Sequence, residues 1–304
     1  MLLLALAACG TRPNVPDPDT AAQVDDTPHL TFLAVDNALG KVTRVDTRNV
    51  ATWTAPLGLG GLRDLALVDE DTVLVSSGEG PVWLSLVDGS VEAALTGFED
   101  VQTARPLPDG HVLLGSAATE DGDVVTFTEL DAGGGIVGTP LVLEGYSDLR
   151  LARVLDDGNL LFTGGRDGWH VFEVDATGAE VWSAPLPGKG YLAERQADGT
   201  TLATTGEDVR VISLAEDGTI ARQWGGKDAD PVLAEEAFFS GFDAVNADHV
   251  LVADWHGHDL TQGGAHAVLY GADGARAWAW EDSDFVQITN VLVLEAVDVE
   301  ALTP

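Results

Sequence analysis

One cysteine, Cys9, is present in 304 residues, which excludes a structural disulfide. Basic side chains are scarce as well. Fifteen Lys and Arg face fifty Asp and Glu, a formal net charge of −35, so the overall field repels nucleic acid and anionic lipid headgroups. The acidic excess reads as a heavily solvated surface. There is no Gly-x-Ser-x-Gly elbow, no His-Glu-x-x-His and no phosphate-binding loop, which removes the nucleophile, zinc-hydrolase and nucleotide motifs that sequence can reveal. Amphipathic helical periodicity is also missing, apart from one short helical expectation at residues 231–239, inside a connection.

What the chain does have is a unit of about 44 residues that recurs almost throughout. Each copy runs apolar stretch, Asp-Gly-type turn, apolar stretch, variable loop, a third stretch ending in Asp-x-x-Gly, and a fourth often closed by Trp. The plain copies start at Asp109-Gly110, Asp157-Gly158 and Asp198-Gly199, and weaker ones at Asp71 and Asp248. The stretches are four to seven residues long, rich in Val, Leu and Thr, and bounded by Gly, Asp or Pro, so they read as strands. Asp-Gly supplies residues tolerant of the positive φ that tight hairpins need. Four strands per unit and a drifting repeat length are the signature of an all-β propeller.

Ring closure sets the blade count. The N-terminal copy holds three strands, expected at 30–35, 41–46 and 50–54, while the segment from Val286 to Leu292 resembles the first strand of an internal blade, Val101 to Leu107. Pairing the two ends completes one blade and leaves no open edge there. Six four-stranded blades are expected, with five or seven as the alternatives if one loop hides or mimics strands. The expected layout is a signal segment at 1–8, a lipidated Cys with a flexible Pro-, Asp- and Thr-rich tether at 9–29, and the propeller at 30–304.

Leu6-Ala7-Ala8-Cys9 resembles the bacterial lipobox, in which the Cys thiol is acylated before the leader is cut. The leader before it is short and lacks a basic start, as a start site set too far downstream would leave it. Gly10 stands where many inner-membrane lipoproteins carry Asp. The resemblance therefore implies a lipid-anchored protein of the cell envelope, in the bacterial outer membrane, touching the membrane only through that anchor; a monomer is the expectation for a closed propeller.

The segment from Val174 to Trp182, with its Asp175, Thr177-Gly178 turn and terminal Trp, resembles the repeat of quinoprotein-type (PQQ-like) propellers, with partial echoes at Leu214 to Trp224 and Tyr270 to Trp278. The quinone-cofactor dehydrogenases of that group have eight blades, longer chains and commonly a vicinal Cys pair, none of which is found here, so the resemblance implies architecture without pyrroloquinoline quinone. There is also a distant resemblance to bacterial arylsulfotransferases, six-bladed propellers with a catalytic His in a central cavity. No motif residue matches, and no role carries over.

Blade topology sorts the loops. The turns between first and second and between third and fourth strands share one face; the remaining loops and the links between blades share the other. That second face carries the two longest connections, Gly225 to Phe239 and Trp255 to Ala265, which should be neighbours, and such loops are where binding resides. Asp254-Trp255-His256-Gly257-His258-Asp259, with His266 beyond, offers imidazoles and carboxylates for a transition metal, with a hydrogen-bonded loop anchored by Trp255 as the plainer reading. Asp228 to Glu236 would suit calcium only without the usual loop order, and reads as a solvated acidic loop.

Counting back from each turn places Arg63, Gln102, Arg150, Tyr191, Ser240 and Gln287 on the innermost strands near the loop-rich mouth of the channel. Three residues further on come Ala66, Arg105, Arg153, Glu194, Asp243 and Asn290. Guanidinium groups in a concave site suit a carboxylate, sulfate or phosphate, unless Glu194, Asp243 or Asp148 neutralises them. The primary expectation is a non-catalytic binding module that recognises a protein, glycan or small anionic ligand through the loop face of blades five and six, with Arg63, Arg105, Arg150, Arg153, Tyr191, Trp255, His256 and His258 as contacts. The alternative is an envelope transferase, hydrolase or lyase acting on an anionic substrate through His256, His258, Arg150 and Arg105.

Overall fold

The computed structural model describes residues 29–47, 52–117, 123–226, 232–233, 237–257 and 263–297. Among them every regular element is a strand, and the strands form six four-stranded antiparallel sheets arranged as the blades of a propeller. Residues 231 and 234–236 of the expected helical stretch lie outside the described residues, as do Cys9, His258 and Asp228.

Blade I combines β1 (His29–Asp36), β2 (Lys41–Asp46) and β3 (Thr54–Pro56) with β24 (Ile288–Val297), in the order β24-β1-β2-β3. Blade II contains β4 (Leu65–Leu67), β5 (Thr72–Ser77), β6 (Gly80–Ser85) and β7 (Val91–Ala94). Blade III contains β8 (Val101–Pro106), β9 (Val112–Ala117), β10 (Val124–Leu130) and β11 (Ile136–Glu144). Blade IV runs through β12 (Ala152–Val154), β13 (Leu160–Gly165), β14 (Trp169–Val174) and β15 (Glu180–Pro185). Blade V has β16 (Ala193–Arg195), β17 (Thr201–Thr204), β18 (Arg210–Leu214) and β19 (Ile220–Gly225). Blade VI has β20 (Phe239–Ala244), β21 (Val250–Asp254), β22 (Ala267–Tyr270) and β23 (Arg276–Trp280).

The third strand of blade I starts later than its apolar residues suggest. Its pairing is Thr43 with Thr54 and Lys41 with Pro56. Just before it, Trp53 lies against Gly89 of blade II, where an added Cβ would come within 2.5 Å of the indole. Trp53 also donates Nε1–H to Leu86 O at 2.9 Å.

Period-two alternation explains the core. The middle strands are buried on both faces, so successive apolar side chains go to opposite neighbours. In β13 and β14, Phe162 and Phe172 pack toward blade III, while Leu161 and Val171 pack toward blade V. The buried apolar residues accordingly fall into six clusters, one per blade interface. Each fully buried Phe or Leu contributes about 1.5–3 kcal/mol. The interface of blades VI and I is as well filled as the rest, with Phe32 edge-on to Trp280 at 5.5 Å. Gly241 lets the closing strand approach, since a Cβ there would lie 2.0 Å from Asn290 Oδ1.

Candidate ligand-binding site

The first residues of the inner strands, and those just before them, line the central channel. At its loop-rich mouth Arg63, Arg150, Tyr191, Gln287 and Thr289 meet loop residues Asn37, Lys189, Glu207, Phe238 and Trp255 around a cavity of about 320 Å³. Four of the six positions counted back from the turns therefore converge on one pocket. Of the other two, Ser240 donates to Ile288 O across the blade VI–I seam at 3.1 Å, and Gln102 is buried.

Backbone hydrogen bonds fix this rim. Arg63 N–H donates to Ser76 O at 3.2 Å, Arg150 N–H to Thr163 O at 3.4 Å, Leu151 N–H to Tyr191 O at 3.0 Å and Asn37 N–H to Gln287 O at 3.0 Å. The two long connections are neighbours. Trp255 N–H donates to Phe238 O at 2.9 Å and Ala265 N–H to Val232 O at 3.0 Å, while the buried Asp254 carboxylate accepts Phe238 N–H at 2.9 Å. Gly206, at φ +58°, allows the close approach of both blade V loops: a Cβ would stand 2.4 Å from Lys189 O and 2.8 Å from the Phe238 ring.

The four candidate arginines divide into two pairs. Arg105 and Arg153 are consumed by an internal network around Asp64, a fully buried carboxylate just before β4. Arg153 donates from Nη1 to Asp64 Oδ1 at 3.1 Å and from Nε to Glu194 Oε1 at 2.9 Å. Arg105 Nη1 lies 3.7 Å from Asp64 and donates to Leu65 O at 2.9 Å. Thr103 Oγ1 and Asn290 Nδ2 also donate to Asp64. Burial and the neighbouring Arg153 lower the Arg105 guanidinium to about 10. Burial, then repulsion from Glu194, pushes Asp243 up to about 7.

Arg63 and Arg150 remain for the pocket. Arg150 has Asp148 at 3.6 Å, and Lys189 lies 3.6 Å from the same Oδ1. Desolvation lowers the Arg150 pKa although Tyr191 and Asp148 act against it. Arg63 makes no ion pair among the described residues, and its buried Nε lacks a hydrogen-bond partner. Tyr191 is 5% exposed; its hydroxyl lies beside Arg63 without hydrogen-bond geometry, and burial holds its pKa up. An unsatisfied buried polar atom costs about 1–3 kcal/mol, and these two belong to residues that line the same pocket.

The opposite face holds a larger cavity, about 630 Å³, lined by Arg153, Glu173, Glu194 and Arg195 among others. There the cations are committed: Arg195 pairs with Glu173 at 2.7 Å and Arg153 with Glu194 at 2.9 Å. Asp156 and Asp157 add further negative charge. The smaller pocket is the better anion site.

The histidine loop is a packed anchor in its described part. His256 is buried and donates Nε2–H to Ala265 O at 2.8 Å. Its ring stacks on His266 at 4.6 Å between centroids and 25° between planes. His266 Nδ1 accepts Asp282 N–H at 3.3 Å, and burial lowers its pKa to about 4. Asp254, His256 and His266 do not bring three ligand atoms within 4.8 Å of one another; among the described residues only Asp109, His111 and Glu129 do. There His111 Nδ1 meets Glu129 at 2.6 Å in a turn-face ion pair, and hydrogen bonding to Glu129 raises the His111 pKa.

No family model matches the chain, and no curated protein matches it. Solved structures do resemble it. A protein of unknown function from Bacteroides caccae is 19% identical, with a TM-score of 0.70 over 88% of this chain and all of that one. The periplasmic gluconolactonase of Pseudomonas aeruginosa is 12% identical (TM-score 0.56; 88% and 99% of the two chains), and a streptogramin B lyase 14% (0.56; 88% and 93%). At such identities the likeness extends to the backbone alone, and that backbone serves enzymes as well as proteins without a known activity. The chain is a six-bladed β-propeller whose ring is closed by its own last strand.

Proposed function

We propose that this propeller is a cell-envelope binding module that takes a small anionic ligand into the loop-face mouth of its channel. The observation that carries this reading is the pairing of Arg63, which has no carboxylate partner among the described residues, with the buried Tyr191 hydroxyl, which has no hydrogen-bond partner. In a chain of net charge −35, where Arg105 and Arg153 are matched to acids, a guanidinium left unmatched in a pocket is an invitation to an anion. The volume of about 320 Å³ lies at the small end of the roughly 300–1,000 Å³ range of small-molecule sites, which favours a ligand over a protein segment or a long glycan. The commitment of His256 Nε2 to Ala265 O supports binding over turnover. The Leu6-Ala7-Ala8-Cys9 segment supports attachment to the envelope through an acylated Cys9.

Calorimetric titration with acetate, phosphate and sulfate tests the pocket. At least one should bind, and Arg63→Ala should weaken it about 10- to 100-fold, the equivalent of a charged hydrogen bond. Equal binding by the variant, or no heat with any of the three, overturns the assignment.

A further inference from the structure

The anion pocket has one chemically distinct wall, and that wall narrows the ligand class. Tyr191, Phe238 and Trp255 all line the cavity. They follow one another edge to face: Tyr191 to Phe238 at 6.2 Å and 82°, Phe238 to Trp255 at 5.6 Å and 80°. The row starts at the hydroxyl beside Arg63 and continues into the loop that holds Trp255. It is also fixed in place. Phe238 donates its N–H to Asp254 and accepts the N–H of Trp255, each at 2.9 Å, so the rings are set before a ligand arrives. An inorganic oxyanion would use the guanidinium and leave this apolar surface wet.

Charge gives the second constraint. Three cations, Arg63, Arg150 and Lys189, line the pocket. Two carboxylates oppose them: Glu207 in the lining and Asp148, which lies 3.6 Å from both Arg150 and Lys189. One positive charge is left over. It belongs to Arg63, which lines the pocket and whose planar guanidinium suits the two-point grip that a carboxylate accepts.

We infer that the ligand is an aromatic monocarboxylate, its carboxylate held by Arg63 and the Tyr191 hydroxyl and its ring laid against Phe238 and Trp255. The inference rests on the anion-binding reading above and deepens it. The ring supplies apolar area and edge-to-face contact; the single charge matches the single unmatched guanidinium; and the small cavity limits the remainder of the molecule to little beyond one ring system.

The experiment is calorimetric titration of the purified protein with phenylacetate, cyclohexylacetate and acetate, repeated on Trp255→Leu. Phenylacetate should bind the parent protein at least tenfold more tightly than acetate and more tightly than cyclohexylacetate. The Trp255→Leu change should weaken phenylacetate about three- to tenfold, and by more than it weakens acetate. If acetate and phenylacetate bind alike, or cyclohexylacetate matches phenylacetate, the aromatic inference falls while the anion pocket stands. If no carboxylate binds, the aromatic inference falls, and the anion pocket falls with it where phosphate and sulfate fail as well. The comparison of the three acids on the parent protein decides the matter even where the variant folds poorly.

Discussion

Arg153 of blade IV reaches Asp64 of blade II, donating to both carboxylate oxygens at 3.1 and 3.2 Å across the centre of the propeller. Asp64 is fully buried and the Arg153 side chain is 12% exposed, so the carboxylate has no water to fall back on. Removing Arg153 should cost up to about 3–5 kcal/mol, because the buried Asp64 loses its closest cation and keeps only Arg105, at 3.7 Å. Arg153→Met should therefore lower the urea midpoint strongly. The double variant Asp64→Asn with Arg153→Met should recover part of that loss; a double variant as unstable as the two single changes added together would show that the pair does not act as a unit.

Asp243 makes the same network sensitive to pH. Burial and the Glu194 carboxylate push it up to about 7, while the Val293 N–H, donated at 2.7 Å, and Arg153 work the other way. A carboxyl group whose pKa is higher folded than unfolded keeps its proton longer in the native state. Between about pH 4 and 7 the folded chain thus holds more protons than the unfolded one, and its contribution to stability falls as pH rises through that window. Asp243→Asn should flatten this slope and be the more stable protein at pH 8. Urea midpoints at pH 5 and pH 8 for both proteins check it, and an unchanged difference between the two pH values would remove Asp243 as the cause.

The proposed attachment to the envelope would depend on one thiol, that of Cys9. Radiolabelled palmitate supplied to bacteria expressing the chain should enter the protein, and Cys9→Ser should abolish the label and move the protein from the membrane to the soluble fraction. Labelling that survives the substitution places the lipid elsewhere; membrane association without label removes the lipobox reading.

The fold was legible because its punctuation is local. Asp-Gly pairs such as Asp157-Gly158 fix where two strands meet, with Gly158 at φ +86°, and once that point is set, counting back along a strand of period two gives the residue that faces the channel. Arg63, Arg150, Tyr191 and Gln287 were found this way and share a pocket. Asp64 was missed. It stands one position after Arg63, before a strand of only three residues, and its role appears only when Thr103, Arg105, Arg153 and Asn290 arrive from three other blades. Lys189, Glu207 and Phe238 were missed for another reason: they sit in loops without periodicity, placed by contacts such as the approach of Lys189 and Phe238 to Gly206. The charge scarcity drew attention to Arg63, Arg105, Arg150 and Arg153 together, and only geometry could separate the two that are neutralised inside from the two that line the pocket.

The pairing of β1 with β24 also sets a clock on biogenesis. Val35 and Thr289, which touch in the finished blade, are 254 positions apart in the chain. At ribosomal speeds of roughly 5–20 residues per second, β1 is made about 13–50 s before the strand that will flank it. During that interval an apolar strand whose residues Leu30 to Val35 end up almost wholly buried has one uncovered side. A holdase that shields this segment, or a delay in its folding, would protect the nascent protein from pairing with the wrong chain, and blade I, which contains β1, becomes complete only once β24 has been made.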